Sequence, residues 1–123
     1  MIRGEFVTTK KVLVVGGANV DIKGRASGPL TPGTSNPGLV WKSPGGVGRN
    51  IATNLAVIGT SVAFVTAFGQ DEEGEWLRLG LMQAGVDTSR CALLPSSRTS
   101  TYLAIVDERG ELSVAAKAAA CLA

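Results

Sequence analysis

Apolar positions along this chain fall into two rhythms. Lys11–Val15 (KVLVV) is an almost unbroken run of valine and leucine that stops at Gly16-Gly17, and Val62–Ala67 (VAFVTA) is a second run, closed by Gly69. Short apolar runs rich in β-branched residues and bounded by glycine predict buried strands. Between them, Val47, Ile51, Leu55 and Ile58 recur at spacings of four, four and three. That rhythm predicts a helix from Gly48, with Gly59 as the residue that ends it. Asp71-Glu72-Glu73 brings carboxylates to the positive end of a second helix, which Trp76, Leu77, Leu79, Leu81 and Met82 carry to Gly85. After Val86-Asp87-Thr88-Ser89 comes a short apolar piece, Cys91–Leu94.

Two segments depart from these patterns. Thr101–Val106 (TYLAIV) and Glu111–Ala115 flank Asp107-Glu108-Arg109-Gly110, which predicts a hairpin. Gly24–Pro44 holds four of the five prolines among glycines, serines and threonines. No regular element of that length reads from it, only short extended pieces such as Gly38–Lys42, where Leu39 and Trp41 alternate with Val40 and Lys42. A structureless loop of about twenty residues in a compact domain is functional or disordered. The order strand, long loop, helix, strand, helix, strand, hairpin predicts an α/β domain with a largely parallel sheet and no internal repeat.

Composition narrows the function classes. A chain of 123 residues with 45% hydrophobic and 18% charged positions suits one globular domain with a modest core. Net charge is +2, only Lys10-Lys11 are adjacent cations, and six aromatic residues supply no stacking stripe, so nucleic acid is not expected as a partner. There is no histidine, and Cys91 and Cys121 form no CxxC pair. This argues against a zinc site and against Ser-His or Cys-His nucleophiles. The first residues contain no apolar core of a signal peptide, and Val12-Leu13-Val14-Val15 is far short of the roughly twenty residues that cross a bilayer. A cytoplasmic setting without membrane contact is the default expectation. Residues 1–10 read as a leader, Met1–Phe6 as one that was added, and residues 115–123 as a frayed helix, a vector scar or an abrupt truncation.

Candidate chemistry sits in two stretches. Ser43–Asn50 (SPGGVGRN) places three glycines at the mouth of the first helix. A helix N-terminus offers unpaired N–H groups and partial positive charge, and glycine lets a ligand approach the backbone. The stretch is neither a P-loop nor GxGxxG, and by itself it reads equally as a tight turn. Gly16–Asp21 (GGANVD) puts Asn19 and Asp21 just past the carboxyl end of the first strand, where open α/β sheets bind ligands. In extended backbone the two side chains share one face. An amide and a carboxylate together offer donors and acceptors to adjacent sugar hydroxyls. The alternatives are that Asn19 shapes a turn and Asp21 caps a neighbouring element.

GGANVD followed by PGGVGRNIATNLAVIGTSVAFVTAFGQDEEG resembles the N-terminal signature of the ribokinase-like (PfkB) sugar and nucleoside kinases. Lys23-Gly24-Arg25 and Pro32–Gly38 (PGTSNPG) are similar to the pseudouridine kinase branch, and residues 99–112 resemble the family's returning lid strands. The resemblance covers residues 12–114. It implies the N-terminal part of a doubly wound ribokinase-like sheet with a small β lid, for which residues 22–42 and 101–115 are candidates. It implies that Asp21 and Asn19 bind ribose hydroxyls, that Gly45 and Gly46 bring backbone N–H groups to the same sugar, and that Asn50 joins them. Thr34, Ser35, Asn36 and Arg49 become possible contacts to the base. Tyr102, Leu103 and Ile105 become lid core or an interface between subunits, with a homo-oligomer as the expected partner state.

The family also implies ATP, Mg and a C-terminal segment of the type DTxGAGD with the catalytic base. Nothing of that type occurs here: after Asp87 the acidic residues are Asp107, Glu108 and Glu111. The expectation is a substrate-binding and lid part that holds no cofactor and transfers no phosphate alone, so whether to class it as an enzyme (a phosphotransferase) is left open. A non-catalytic self-associating fragment or binding module is the alternative. A dinucleotide-binding domain is a further one, opposed by glycine clusters that do not fit its fingerprint.

Overall fold

The computed structural model describes residues 10–119. Cys121 and all but the last residue of the expected leader lie outside the described residues. In chain order the elements are β1 (Lys11–Val15), β2 (Asn19–Ala26), β3 (Gly38–Gly45), α1 (Val47–Val57), β4 (Ser61–Val65), β5 (Ala67–Gly69), α2 (Glu72–Gln83), β6 (Ala92–Leu94), β7 (Thr101–Val106) and β8 (Leu112–Ala118). β1 pairs with β4 and β5 with β6, both in parallel. The remaining strands form one mixed sheet in the order β3-β2-β7-β8, parallel only between β2 and β7.

The proline-rich segment departs from expectation. The extended piece expected at Gly38–Lys42 is part of β3, but in place of an otherwise irregular loop two eight-residue strands, β2 and β3, pair antiparallel from Asn19 opposite Gly45 to Ala26 opposite Gly38. The connecting loop is only residues 27–37, and Asn36 organises it by bonding Thr31 and Thr34. β2 does alternate, with Asn19, Asp21, Lys23 and Arg25 at odd positions and Val20, Ile22, Gly24 and Ala26 at even ones. Gly24 and the prolines that follow obscure that signal, because both are poor strand formers.

The expected run Val62–Ala67 is divided at Thr66 into β4 and β5, since β4 serves β1 while β5 serves β6. The hairpin between β7 and β8 forms about Asp107–Glu111, with Gly110 at positive φ. β8 continues to Ala118, so Ala115–Ala118 are a strand and not a frayed helix.

Of the apolar rhythm of α1, Leu55 packs against the core. Gly48 and Ala52 are its buried residues, whereas Val47 and Ile58 are each 77% exposed and Ile51 47%. The reason is close approach: a Cβ on Gly48 would lie 2.9 Å from Gly16 Cα, so only small residues fit against the end of β1. Helix α2 starts at Asp71, whose carboxylate accepts from Gly74 N, and turns Leu77 and Leu81 inward. These join Val20, Val62, Phe64, Phe68 and Val86 in the core. Burying a side chain of that size stabilises by about 1.5–3 kcal/mol. No helix among the described residues is long and apolar enough to cross a membrane.

Candidate functional site

Beyond Val15 the chain runs through Gly16-Gly17-Ala18 into β2, and period-two geometry turns Asn19 and Asp21 to one side of the mixed sheet. Both are half-buried, and Asn19 Nδ2 donates to Asp21 Oδ1 at 2.5 Å. A donor in that position uses one carboxylate oxygen and leaves Asn19 Oδ1 and Asp21 Oδ2 as further acceptors.

The diglycine stretch meets this pair directly. Gly45 ends β3 opposite Asn19, and Ser43 is opposite Asp21. A Cβ on Gly45 would lie 2.6 Å from both carboxylate oxygens of Asp21, so the carboxylate occupies the space a side chain would need. Gly46 is the N-cap of α1 at φ 98, and its Cβ would meet Gly17 O at 2.5 Å. Positive φ of this kind is costly for any residue with a side chain. Arg49 N donates to Gly17 O at 3.1 Å, which ties the first turn of α1 to the segment leading into β2. No side chain caps α1 at Gly46, so no built-in anion sits at its N-terminus.

Asn50 is exposed on the first turn of α1. Arg49 Nη2 donates to Asn50 Oδ1 and Nη1 to Thr53 Oγ1 at 3.3 Å, while its buried Nε has no partner. Burial lowers the guanidinium pKa from its ordinary value, and the Asp21 charge opposes that shift.

A second polar cluster, which sequence reasoning missed, fixes the start of β7. Asp71 Oδ1 accepts from Thr99 Oγ1 at 2.6 Å, and Oδ2 accepts from Thr99 N at 2.8 Å. Gly69 N donates to the same hydroxyl at 3.0 Å. Burial works to raise the Asp71 pKa, but the Thr99 and Gly74 hydrogen bonds outweigh it, and the value falls below the ordinary one. From there Ser100 O accepts from Val20 N at 2.9 Å, and β7 runs beside β2 with Tyr102 paired to Asp21. The only sequence signal for this joint was the acidic start of α2.

Other expected residues fall elsewhere. Thr34, Ser35 and Asn36 lie in the loop beyond the far end of β2, about 20–25 Å along the strand from Asn19 at the rise of extended backbone. Asn36 serves the loop itself. Tyr102 is half-buried in register with Asp21, Leu103 is exposed, and Ile105 packs where a Cβ on Gly24 would reach it at 3.2 Å.

This convergence of an Asn-x-Asp strand and a diglycine helix start has relatives. A family model described as pfkB family carbohydrate kinase matches residues 9–122. The chain belongs to the pfkB family of carbohydrate kinases. It is 41% identical over 104 residues to a pseudouridine kinase of Escherichia coli (strain K12), covering 85% of this chain and 33% of that one. It is 35% identical over 102 residues to a guanosine-inosine kinase of Exiguobacterium acetylicum, covering 83% and 34%. Among solved structures, a carbohydrate kinase from Agrobacterium tumefaciens matches with TM-score 0.81 and 37% identity over 89% of this chain and 35% of that one. A ribokinase from Cryptococcus neoformans var. grubii serotype A, in complex with ADP, matches with TM-score 0.75 and 27% identity over 90% and 35%. The pfkB chain described here thus spans about a third of the length of these relatives. Its α/β architecture is the N-terminal part of the ribokinase-like fold.

Proposed function

We propose that this chain is the substrate-binding part of a sugar or nucleoside kinase, and that Asn19, Asp21, Gly45, Gly46 and Asn50 hold the vicinal hydroxyls of a ribose. The observation that carries the reading is the meeting of two distant segments. The Asn19–Asp21 pair lies against Gly45, where no side chain fits, beside an uncapped helix start. Acceptors on one wall and N–H donors on the other suit neighbouring hydroxyls, each of which both donates and accepts. Two relatives named for nucleosides, the pseudouridine and guanosine-inosine kinases, favour a nucleoside over a free sugar. The mixed β3-β2-β7-β8 sheet, which carries Asp21 and Tyr102 in register, serves as the lid over that ligand.

Among the described residues no three His, Cys, Asp or Glu side chains could hold a metal ion together, and the chain has no glycine-rich acidic segment after its hairpin. On this reading the 123-residue polypeptide recognises substrate without transferring phosphate. Exposed apolar side chains on β3, β7 and β8, among them Leu39, Val40, Leu103 and Val114, favour pairing with a second copy.

Calorimetric titration with pseudouridine, ribose and adenosine tests the proposal. Saturable heat is expected, strongest for a nucleoside, and Asp21→Asn is expected to weaken it about tenfold or more through loss of a charged acceptor. Absence of saturable heat from all three ligands at millimolar concentration overturns it.

A further inference from the structure

The Arg49 side chain bonds two residues of α1 within electrostatic reach of Asp21, and the proposed ribose contacts do not include it. Its guanidinium has five N–H donors and no acceptor. The Asn50 atom that faces it must therefore be the carbonyl oxygen, and the contact is Nη2 to Asn50 Oδ1. With Oδ1 engaged by Arg49, the group of Asn50 left for a further partner is its NH2 donor. Nη1 is bound to Thr53 Oγ1 one turn further along α1, so the guanidinium plane is held at two points. The buried Nε, without a partner, shows that the side chain is seated in the fold and not lying on the surface. Arg49 N also bonds Gly17 O, which fixes the backbone beneath it to the strand that supplies Asn19 and Asp21.

We propose that Arg49 is a positioning residue that locks the side-chain amide of Asn50 with its NH2 group toward the ligand, setting a donor opposite the Asn19–Asp21 acceptors. The inference rests on the proposed ribose site for its purpose, but the lock itself is a property of the unliganded chain. Its consequence is a preference for a ligand oxygen that can accept at that point. A carbonyl-facing Asn50 would instead require a ligand donor. Half-burying a cation is costly unless its hydrogen bonds are used. The two side-chain bonds and the nearby Asp21 charge offset that cost.

The test separates the lock from the sugar reading. In the 15N-labelled 123-residue chain, the Asn50 side-chain amide is identified by its loss in Asn50→Ala, and its order parameter is measured without ligand. The expected value in the parent chain is above about 0.8, falling below about 0.6 in Arg49→Met. Arg49→Gln, with one amide donor and no charge, is expected between them, and it carries the test if Arg49→Met does not fold. An Asn50 amide that stays ordered in both variants overturns the proposal. Calorimetry with ribose and pseudouridine then reads the consequence. Arg49→Met is expected to weaken binding roughly five- to tenfold. The double variant with Asn50→Ala is expected to match Asn50→Ala alone within about twofold, because the effect runs through Asn50. Additive losses would overturn the positioning role. An Asn50 amide that is ordered in the parent chain and loosened in Arg49→Met, in a parent chain that binds neither ligand, would leave the lock standing and remove the ribose site.

Discussion

At the scale of single residues, the site depends on an absence. Gly45 gives up its side chain so that the Asp21 carboxylate can lie against the backbone, and Gly45→Ala forces the Cβ within 2.6 Å of both oxygens. Asp21 must then leave Asn19 or β3 must shift, and ligand affinity is expected to fall about tenfold or more, ~1.4 kcal/mol. Gly46→Ala acts differently, because it combines φ 98 with a clash against Gly17 O. It is expected to lower stability by about 1–3 kcal/mol in urea denaturation, with or without ligand. A Gly45→Ala chain that retains parental affinity would contradict this account of the site. The Asn19–Asp21 face was legible from sequence, since a two-residue period leaves no other geometry. That Gly45 exists for Asp21 was not legible, because a glycine at a turn reads the same with or without a carboxylate beside it.

At the scale of elements, the joint between α2 and β7 holds the mixed sheet in register. Asp71 caps α2 through Gly74 N and grips Thr99 at both its N–H and its hydroxyl. Replacing a capping aspartate costs about 0.5–2 kcal/mol, and losing the Thr99 contacts adds to it. Asp71→Ala is therefore expected to cost more than Thr99→Val, and Thr99→Ser to be close to the parent chain, by chemical denaturation. The folded-state pKa of Asp71 is depressed, so its contribution is present above the ordinary aspartate value of 3.8 and is lost as pH falls through the folded value. Acid unfolding of Asp71→Asn should accordingly be less steep below that pH than for the parent chain. Equal slopes would remove Asp71 from the acid response. The acidic start of α2 was visible in the pattern DEE; its second task was not, because Thr99 is 28 residues away in sequence.

At the scale of the whole molecule, apolar surface remains uncovered. Val15 on β1, Leu39 and Val40 on β3, Val47 and Val57 on α1, and Ile58 just after it are each more than 70% exposed. Exposed clusters of this kind mark contact surfaces, and β3 and β8 are also edge strands of their sheet. Self-association is expected in light scattering at tens of micromolar chain, about the range where weak apolar contacts form. Charge substitution at Leu39 and Val40 should reduce it. A monodisperse monomer at millimolar concentration would contradict the expectation. The apolar rhythm of α1 identified a helix, of whose rhythm Leu55 packs against the core while Val47, Ile51 and Ile58 are exposed. Periodicity reports which residues are apolar together, whereas the Gly16–Gly48 contact decides which face can come close.

What the sequence determined by itself was local: where runs of apolar residues form strands and helices, where glycines end them, and which two side chains on one strand share a face. These follow from backbone geometry and nearest-neighbour spacing, which are complete in the linear chain. What only the tertiary structure decided was partnership across distance. Residues 24–26 and 38–44 joined two strands because each strand supplies the other's backbone hydrogen bonds. The same long-range pairing brought Asp21 to Gly45, Asp71 to Thr99, and the Arg49 backbone to Gly17.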